Sequence, residues 1–196
     1  MLALPELGHV VCTDPGGEEV LFVPSLGRIA SIGAPSEIVE VAGALQSASP
    51  KQQVRAARIV LMCCAAEGDP LPLIGWLEHS NWSGQLVDMP GLMPDAEMVA
   101  IAQHLLMHGL AGKSRPGGGR GGYARAFSVA EHIASAVVHL GLSREEAAQM
   151  TMTELQLMIE TKFPESKPKD VPTRDEYREQ MAALKERMRA KGIHVK

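Results

Sequence analysis

The hydrophobic pattern at the start of the chain is that of two extended segments separated by a turn. Val10 to Cys12 form a short apolar run, the turn-forming cluster TDPGGEE follows, and Val20 to Val23 form a second apolar run. Two such runs around Pro and Gly predict a β-hairpin within residues 1–35. A lone hairpin is only marginally stable in water, so we expect it to lie on the surface of the helices that follow, or on a partner.

From residue 36 to residue 162 the apolar spacing changes to the 3.6-residue period of helices. Four helices are predicted before residue 110: one from Glu37 capped by Ser36, one from Pro50 to Gly68, a short one from Leu71 to His79, and one from Pro94 to Gly109. Their clearest apolar stripes are Val54, Ala57, Leu61 and Cys64 in one helix and Met98, Ile101, Ala102 and Leu105 in another. The stretch between residues 80 and 94 has the composition of a loop anchored by Trp82.

Helix caps are well marked in the second half of the chain. Four hydroxyl residues precede a glutamate by three positions: Ser128 with Glu131, Ser143 with Glu146, Thr151 with Glu154, and Thr173 with Glu176. At this spacing the hydroxyl accepts a hydrogen bond from the third helical N–H, and the carboxylate accepts one from the cap residue. The pattern predicts several short helices joined by tight turns, and the fold class is therefore mainly α, a multi-helix domain with an N-terminal β-hairpin.

Two stretches lack the composition of a core. Residues 112–125 are glycine-rich with basic side chains, which predicts a flexible loop. Residues 163–196 combine a proline-rich connector with a tethered C-terminal amphipathic helix, predicted over Arg174–Lys191. The narrow apolar stripe of that helix comprises Tyr177, Met181, Leu184 and Met188. A stripe this narrow is typical of helix pairing, so these four are the candidate partner-binding residues, although a tail resting on its own domain would show the same pattern.

The composition and net charge of the chain limit the classes of function that it can have. The chain of 196 residues has a formal net charge of −4, which gives no overall attraction to nucleic acid or anionic lipid. Its three cysteines, Cys12, Cys63 and Cys64, make a poor disulfide framework and suit a reducing compartment. No signal-peptide pattern and no apolar run of about 20 residues is present, so we expect no membrane insertion and a cytoplasmic protein.

Phosphate-binding motifs are only superficially present. The GKS of residues 112–114 looks like the end of a phosphate-binding loop, but Met107 stands where the motif needs its first glycine. The GxGxxG at residues 117–122 lacks the required strand before it and helix after it. A solvated loop is favoured over a nucleic-acid contact, because three or four cations and the single aromatic Tyr123 would bind phosphates and bases only weakly.

Candidate metal ligands and nucleophiles do not form a complete set. His104 and His108 are four residues apart on one helical face, but Glu97 lies two turns from His104 and cannot complete a metal site. Cys63 and Cys64 lie mid-helix in an apolar stretch, where a structural thiol is expected. The sequence therefore predicts no enzyme, no cofactor and no metal.

Two segments resemble proteins of tailed phages. In HLGLSREEAAQMTMTELQLMIE (residues 139–160), a Gly-Leu-Ser is followed by two acids, a Met-Thr and a Glu with apolar neighbours. This order is similar to that of phage (or prophage) tail assembly chaperones. FVPSLGRIASIGAPSEIVEV (residues 22–41) is similar to the opening of some phage proteins encoded nearby. The hairpin and the glycine-rich loop have no counterpart in that pattern.

The resemblance implies a helical binding protein in the host cytoplasm. Such a protein binds the tape-measure protein, keeps it soluble and promotes assembly with the tail-tube protein, without catalytic residues, and it is a possible homo-oligomer. One alternative is a structural minor tail or head–tail connection subunit whose hairpin adds a strand to a neighbour. Another is a nucleic-acid-binding regulator that uses residues 112–125 and the basic last helix.

Overall fold

The computed structural model describes residues 3–14, 16–79, 86–112 and 126–164, together with Met181. Helices account for 60% of the structure described, so the mainly α prediction is confirmed. Internal contacts divide the chain into one unit of Met1–Lys162 and a second of Phe163–Lys196. The predicted glycine-rich loop, beyond Gly112, lies outside the described residues, and so does the predicted last helix apart from Met181.

All elements named below belong to the first unit. The helices are α1 (Leu26–Ala30), α2 (Pro35–Ala44), α3 (Pro50–Cys64), α4 (Leu71–Ile74), α5 (Asp95–Leu106), α6 (Val129–Leu140), α7 (Arg144–Gln149) and α8 (Met152–Lys162). A 3-10 turn spans Pro5–Leu7, and a π-helical turn, Met107–Ala111, follows α5 directly. The strands are β1 (Val10–Thr13), β2 (Glu19–Phe22), β3 (Ala65–Glu67), β4 (Trp76–His79) and β5 (Leu86–Met89). None of these helices is long and apolar enough to cross a bilayer.

The predicted N-terminal hairpin is confirmed, but it contributes to the core. β1 and β2 pair antiparallel, and β3 adds to the other side of β2. Phe22, at the end of β2, is 0% exposed, and Val20 is buried with it. The expectation that the hairpin would lie on the domain surface is therefore wrong, because the central position of β2 buries its apolar run under the helices.

The prediction for residues 71–94 is wrong in part. α4 ends at Ile74, and β4 and β5 form a second antiparallel hairpin in place of the predicted helix end and loop. Gly75 breaks the helix with φ of 72°, and a Cβ there would lie 2.2 Å from the Met89 carbonyl oxygen. Only glycine allows the chain to turn this tightly against β5. Trp82 lies outside the described residues.

The long helix α3 is the centre of the core. Ala57, Leu61 and Cys64 of its predicted stripe are fully buried, and α1, α2, α4 and α5 all pack against it. The helix ends at Cys64 and not at Gly68, because the next three residues pair with β2. On α5 the predicted stripe is also buried, with Met98, Ala102 and Leu105 facing the core. Helical periodicity thus identified the faces that stabilise the fold.

Three of the four predicted hydroxyl caps are confirmed, and the full capping box is confirmed at Ser143–Glu146. Ser128 Oγ accepts from Glu131 N–H at 3.4 Å, and Thr151 Oγ1 accepts from Glu154 N–H at 3.2 Å. At Ser143–Glu146 both hydrogen bonds of the box are present: Ser143 Oγ accepts from the Glu146 N–H at 3.2 Å, and Glu146 Oε2 accepts from the Ser143 N–H at 2.8 Å. The fourth, Thr173 with Glu176, lies outside the described residues.

The predicted cap of α2 is wrong. Ala34 occupies the cap position, and its N–H donates to Glu37 Oε2 at 2.6 Å, so Ser36 lies inside the first turn. Pro35 starts the helix two residues earlier than the predicted Glu37, since its fixed φ suits the first helical position.

Candidate functional site

Of the four predicted partner-binding residues, only Met181 is described. It is helical and 37% exposed. Tyr177, Leu184 and Met188 lie outside the described residues. The candidate surface is therefore sought on the first unit.

An apolar cleft of that unit lies between α2 and the end of α5, and we call it the α2–α5 groove. It has a volume of about 500 Å³. Its lining comprises Ala42, Leu45, Gln46, Gln103, Leu106, Met107, Leu110 and Ala111. None of these described lining side chains is charged, so this part of the groove attracts apolar surface without electrostatic selection.

The groove exists because its two walls are attached to the same helix. α2 and α5 both pack on α3, which leaves a gap between them. Gln103 Nε2 donates to the Leu45 carbonyl at 3.1 Å and joins the two walls. Leu45 and Leu106 are buried and form the floor, whereas Met107 is 47% exposed at the rim. An exposed methionine on a rigid floor is an adaptable contact for a variable apolar partner.

The π-helical turn sets the outer wall of the groove. Gly109 lies against α1, where a Cβ would be 2.8 Å from Ile29 Cδ1. Gln156 of α8 donates to the Ala111 carbonyl at 3.0 Å and secures the end of the turn. Single π-turns inserted in α-helices are frequent at functional sites. Periodicity alone did not reveal this turn, because the sequence MHGLA continues the apolar pattern of α5.

The predicted histidine pair is near a third polar group. The rings of His104 and His108 are 4.6 Å apart, and His108 Nδ1 lies 2.8 Å from Thr153 Oγ1. Burial, with a smaller contribution from His104, lowers the pKa of His108. Within the described ranges, no group of three or more His, Cys, Asp or Glu side chains is arranged to hold a metal ion.

The prediction that Cys63 and Cys64 lie mid-helix is wrong, because α3 ends at Cys64. Cys64 is fully buried, and burial raises the pKa of its thiol to about 12. The pKa of the Cys12 thiol is also raised, first by burial and then by Glu97. Both thiols are therefore protonated at neutral pH and poorly nucleophilic.

The two segments that carry the phage resemblance meet in space. Ser25 and Thr151 form an isolated antiparallel bridge, and Leu26 N–H donates to the Met150 carbonyl at 2.8 Å. Gly27 packs closely on α7, where a Cβ would lie 3.0 Å from the Ala148 carbonyl oxygen. Segments separated by more than a hundred residues thus build one junction, in which α1 packs on α7 and Ser25 pairs with Thr151 just before α8.

A family model described as "Family of unknown function (DUF6246)" matches residues 45–179, which is more than half of the chain. The chain belongs to this family. No curated protein matches it, and no solved structure does. The DUF6246 match contains most of the groove lining and the junction residues of α7 and α8, but it begins after the β1–β2 hairpin, α1 and α2.

Proposed function

We propose that this DUF6246 protein is a phage tail assembly chaperone, a binding protein without catalysis. In this proposal it binds the tape-measure protein in the host cytoplasm, keeps it soluble and promotes tail-tube assembly. Two things support the proposal. One is the resemblance of residues 22–41 and 139–160 to phage proteins. The other support, which carries the binding role, is the α2–α5 groove: its described lining residues are uncharged, and Met107 is exposed on its rim.

The groove suits one kind of occupant. A tape-measure protein is a long helix with apolar stripes, and a helix presents such side chains at i, i+4 and i+7 to a hydrophobic groove. The uncharged lining places no electrostatic requirement on the stripe, so many successive segments of one long helix can be bound in turn. Since about 500 Å³ holds only a few side chains, each contact is weak and reversible, as a chaperone requires.

The C-terminal helix is proposed as a second contact. Its stripe of Tyr177, Met181, Leu184 and Met188 can pair with a helix of the partner or of another copy. Leu184→Asp, or deletion from Thr173 onward, should leave the first 160 residues folded and weaken tape-measure binding or self-association. Equal binding by the truncated and full chains would show that the helix is not a partner surface.

Co-expression tests the chaperone role directly. The tape-measure protein from the same genome is produced with and without this chain, and its soluble fraction and co-purification are measured. We expect solubility to depend on this chain. We also expect mass spectrometry of purified particles to find the tail-tube protein but not this chain. An insoluble tape-measure protein in both cultures would contradict the proposal.

A structural minor tail or head–tail connection subunit is the second candidate. Among the described residues β1 pairs with β2 on one side only, so its outer edge can accept a strand from a neighbour. A stoichiometric amount of this chain in purified particles would favour the structural role over the chaperone.

A further inference from the structure

A second cleft opens beside the junction of α1, α7 and α8, and we call it the acidic recess. It has a volume of about 450 Å³ and lies apart from the α2–α5 groove. Its polar lining includes His9, Arg28, Glu146 and Glu154, and Leu7 and Met150 are among its apolar walls. The proposed chaperone function uses none of these side chains.

His9 is the unusual member of the recess. Its side chain is only 9% exposed, and its Nδ1 is buried without a hydrogen-bond partner among the described residues. A buried polar atom without a partner is costly, so such an atom calls for an explanation. The adjacent Gly8, with φ of 90°, packs against the His108 side chain and fixes the backbone that carries His9.

His9 is a neutral acceptor at physiological pH. Burial lowers its pKa, and the opposing effect of Glu154 is smaller. A neutral imidazole has one ring nitrogen that accepts a hydrogen bond. The recess therefore carries a neutral imidazole near the carboxylate of Glu154.

The charges in the lining favour a cation. Among the described lining residues, two carry carboxylates, Glu146 and Glu154, and one carries a guanidinium, Arg28. Arg28 already donates through Nη1 to the Ala65 carbonyl, and Glu146 Oε2 accepts from the Ser143 N–H at 2.8 Å. Glu154 has no such partner among the described side chains. The balance of the lining is acidic and rich in acceptors, which opposes an anionic ligand.

We infer that the acidic recess binds the ammonium or guanidinium group of a lysine or arginine side chain from a partner protein. The head group would donate to the Glu154 carboxylate and lie against the ring of His9. The aliphatic stem would lie along Leu7 and Met150, as long basic side chains do on apolar walls. The proposal thus assigns a polar specificity site in addition to the apolar groove.

Magnetic resonance of the His9 ring tests this inference. The ring signal is assigned by its loss in His9→Gln, and the full chain is titrated with Nα-acetyl-lysine methylamide and Nα-acetyl-arginine methylamide. Nα-acetyl-norleucine methylamide serves as the uncharged control, and n-butylammonium distinguishes a site for free amines. We expect a saturable shift with the two blocked basic residues and none with norleucine. No shift with either basic probe, an equal shift with norleucine, or tighter binding of n-butylammonium than of both blocked residues would overturn the inference.

Two variants locate the bound cation. Glu154→Gln should weaken binding of the basic probes about tenfold, because a charge-assisted hydrogen bond is lost. Glu145→Gln is the matched control, since Glu145 is exposed on α7 and does not line the recess. Equal effects of the two substitutions would contradict the assignment.

Gln149→Lys provides a test that does not depend on removing a charge. Gln149 is exposed at the end of α7 and lines the recess, so the substitution leaves the core intact. The new ammonium should occupy the recess and weaken probe binding about tenfold. Unchanged probe affinity in this variant would show that the recess does not hold the cation.

Discussion

The α2–α5 groove and the acidic recess have similar volumes, about 500 and 450 Å³, but opposite chemistry. The described residues that line the groove carry no charge, and Leu45 and Leu106 form its floor. The recess combines Glu146 and Glu154 with a buried imidazole. Size alone therefore says little about what each cleft binds. An uncharged groove can bind partner segments of many apolar sequences, whereas a recess rich in acceptors selects a partner side chain with a charged donor group.

The largest expected effect is a loss of tape-measure binding when a charge is placed on the rim of the groove and not elsewhere on the surface. Met107→Glu places a charge on the apolar rim and should weaken tape-measure binding about 100-fold, since the carboxylate must be desolvated on binding. Met158→Glu is the control, because Met158 is 38% exposed on α8 and lines neither cleft. Binding is measured by calorimetry with a tape-measure fragment. Comparable losses in both variants would show that general surface charge, and not the groove, is responsible.

The wall of the groove is tested through its glycine. Gly109→Ala should destabilise the fold by about 1–3 kcal/mol, because the added methyl group overlaps Ile29 in a packed core. Gly43→Ala on α2 has open space and should stabilise by about 0.5–1 kcal/mol, the helical preference of alanine. Urea unfolding measures both. A neutral Gly109→Ala would mean that the π-turn relaxes without cost.

The wall of the recess depends on a helix cap. Ser143→Ala should cost about 1 kcal/mol, since the Oγ that accepts from the Glu146 N–H is lost, whereas the backbone N–H of residue 143 still donates to Glu146 Oε2. Ser36→Ala should change the stability little, because Ser36 does not cap α2. Thermal unfolding of the two variants checks both values. A larger cost at Ser36 than at Ser143 would contradict the capping described above.

Salt distinguishes the two kinds of binding. Raising NaCl from about 0.05 M to about 0.5 M should weaken binding of the basic probes in the recess severalfold, because exposed charges are screened over the Debye length. Tape-measure binding in the uncharged groove should change little. Calorimetry at both salt concentrations measures the difference. A strong salt dependence of tape-measure binding would contradict the prediction that binding in the groove is not electrostatic.

Acidification should lower the stability of the fold. Burial lowers the pKa of His9, His108 and His132, so below the ordinary pKa of histidine the unfolded chain binds more protons than the folded one. Stability is then full above that pKa and is lost as the pH falls from about 7 toward 5. His9→Gln should reduce the slope of melting temperature against pH. A slope of opposite sign would show that the folded chain favours the charged imidazoles.

Periodicity and capping chemistry determined much of the first unit from sequence. The buried stripes of α3 and α5, the β1–β2 pairing and the Ser143–Glu146 box all follow from local spacing, because a helix or hairpin imposes its own period on the residues that it buries. The candidate partner residues Tyr177, Leu184 and Met188 remain predictions, since they lie outside the described residues.

Tertiary structure decided the features on which binding depends. The β4–β5 hairpin needs the close approach of Gly75 to β5, and the π-turn lets Gly109 lie against α1. The groove is a gap between two helices attached to a third, and the recess joins residues as distant as His9 and Glu154. Neither cleft has a local signature, because its walls come from segments far apart in the chain. Local spacing specifies which face of an element is buried, but only packing determines which faces meet and what space is left between them.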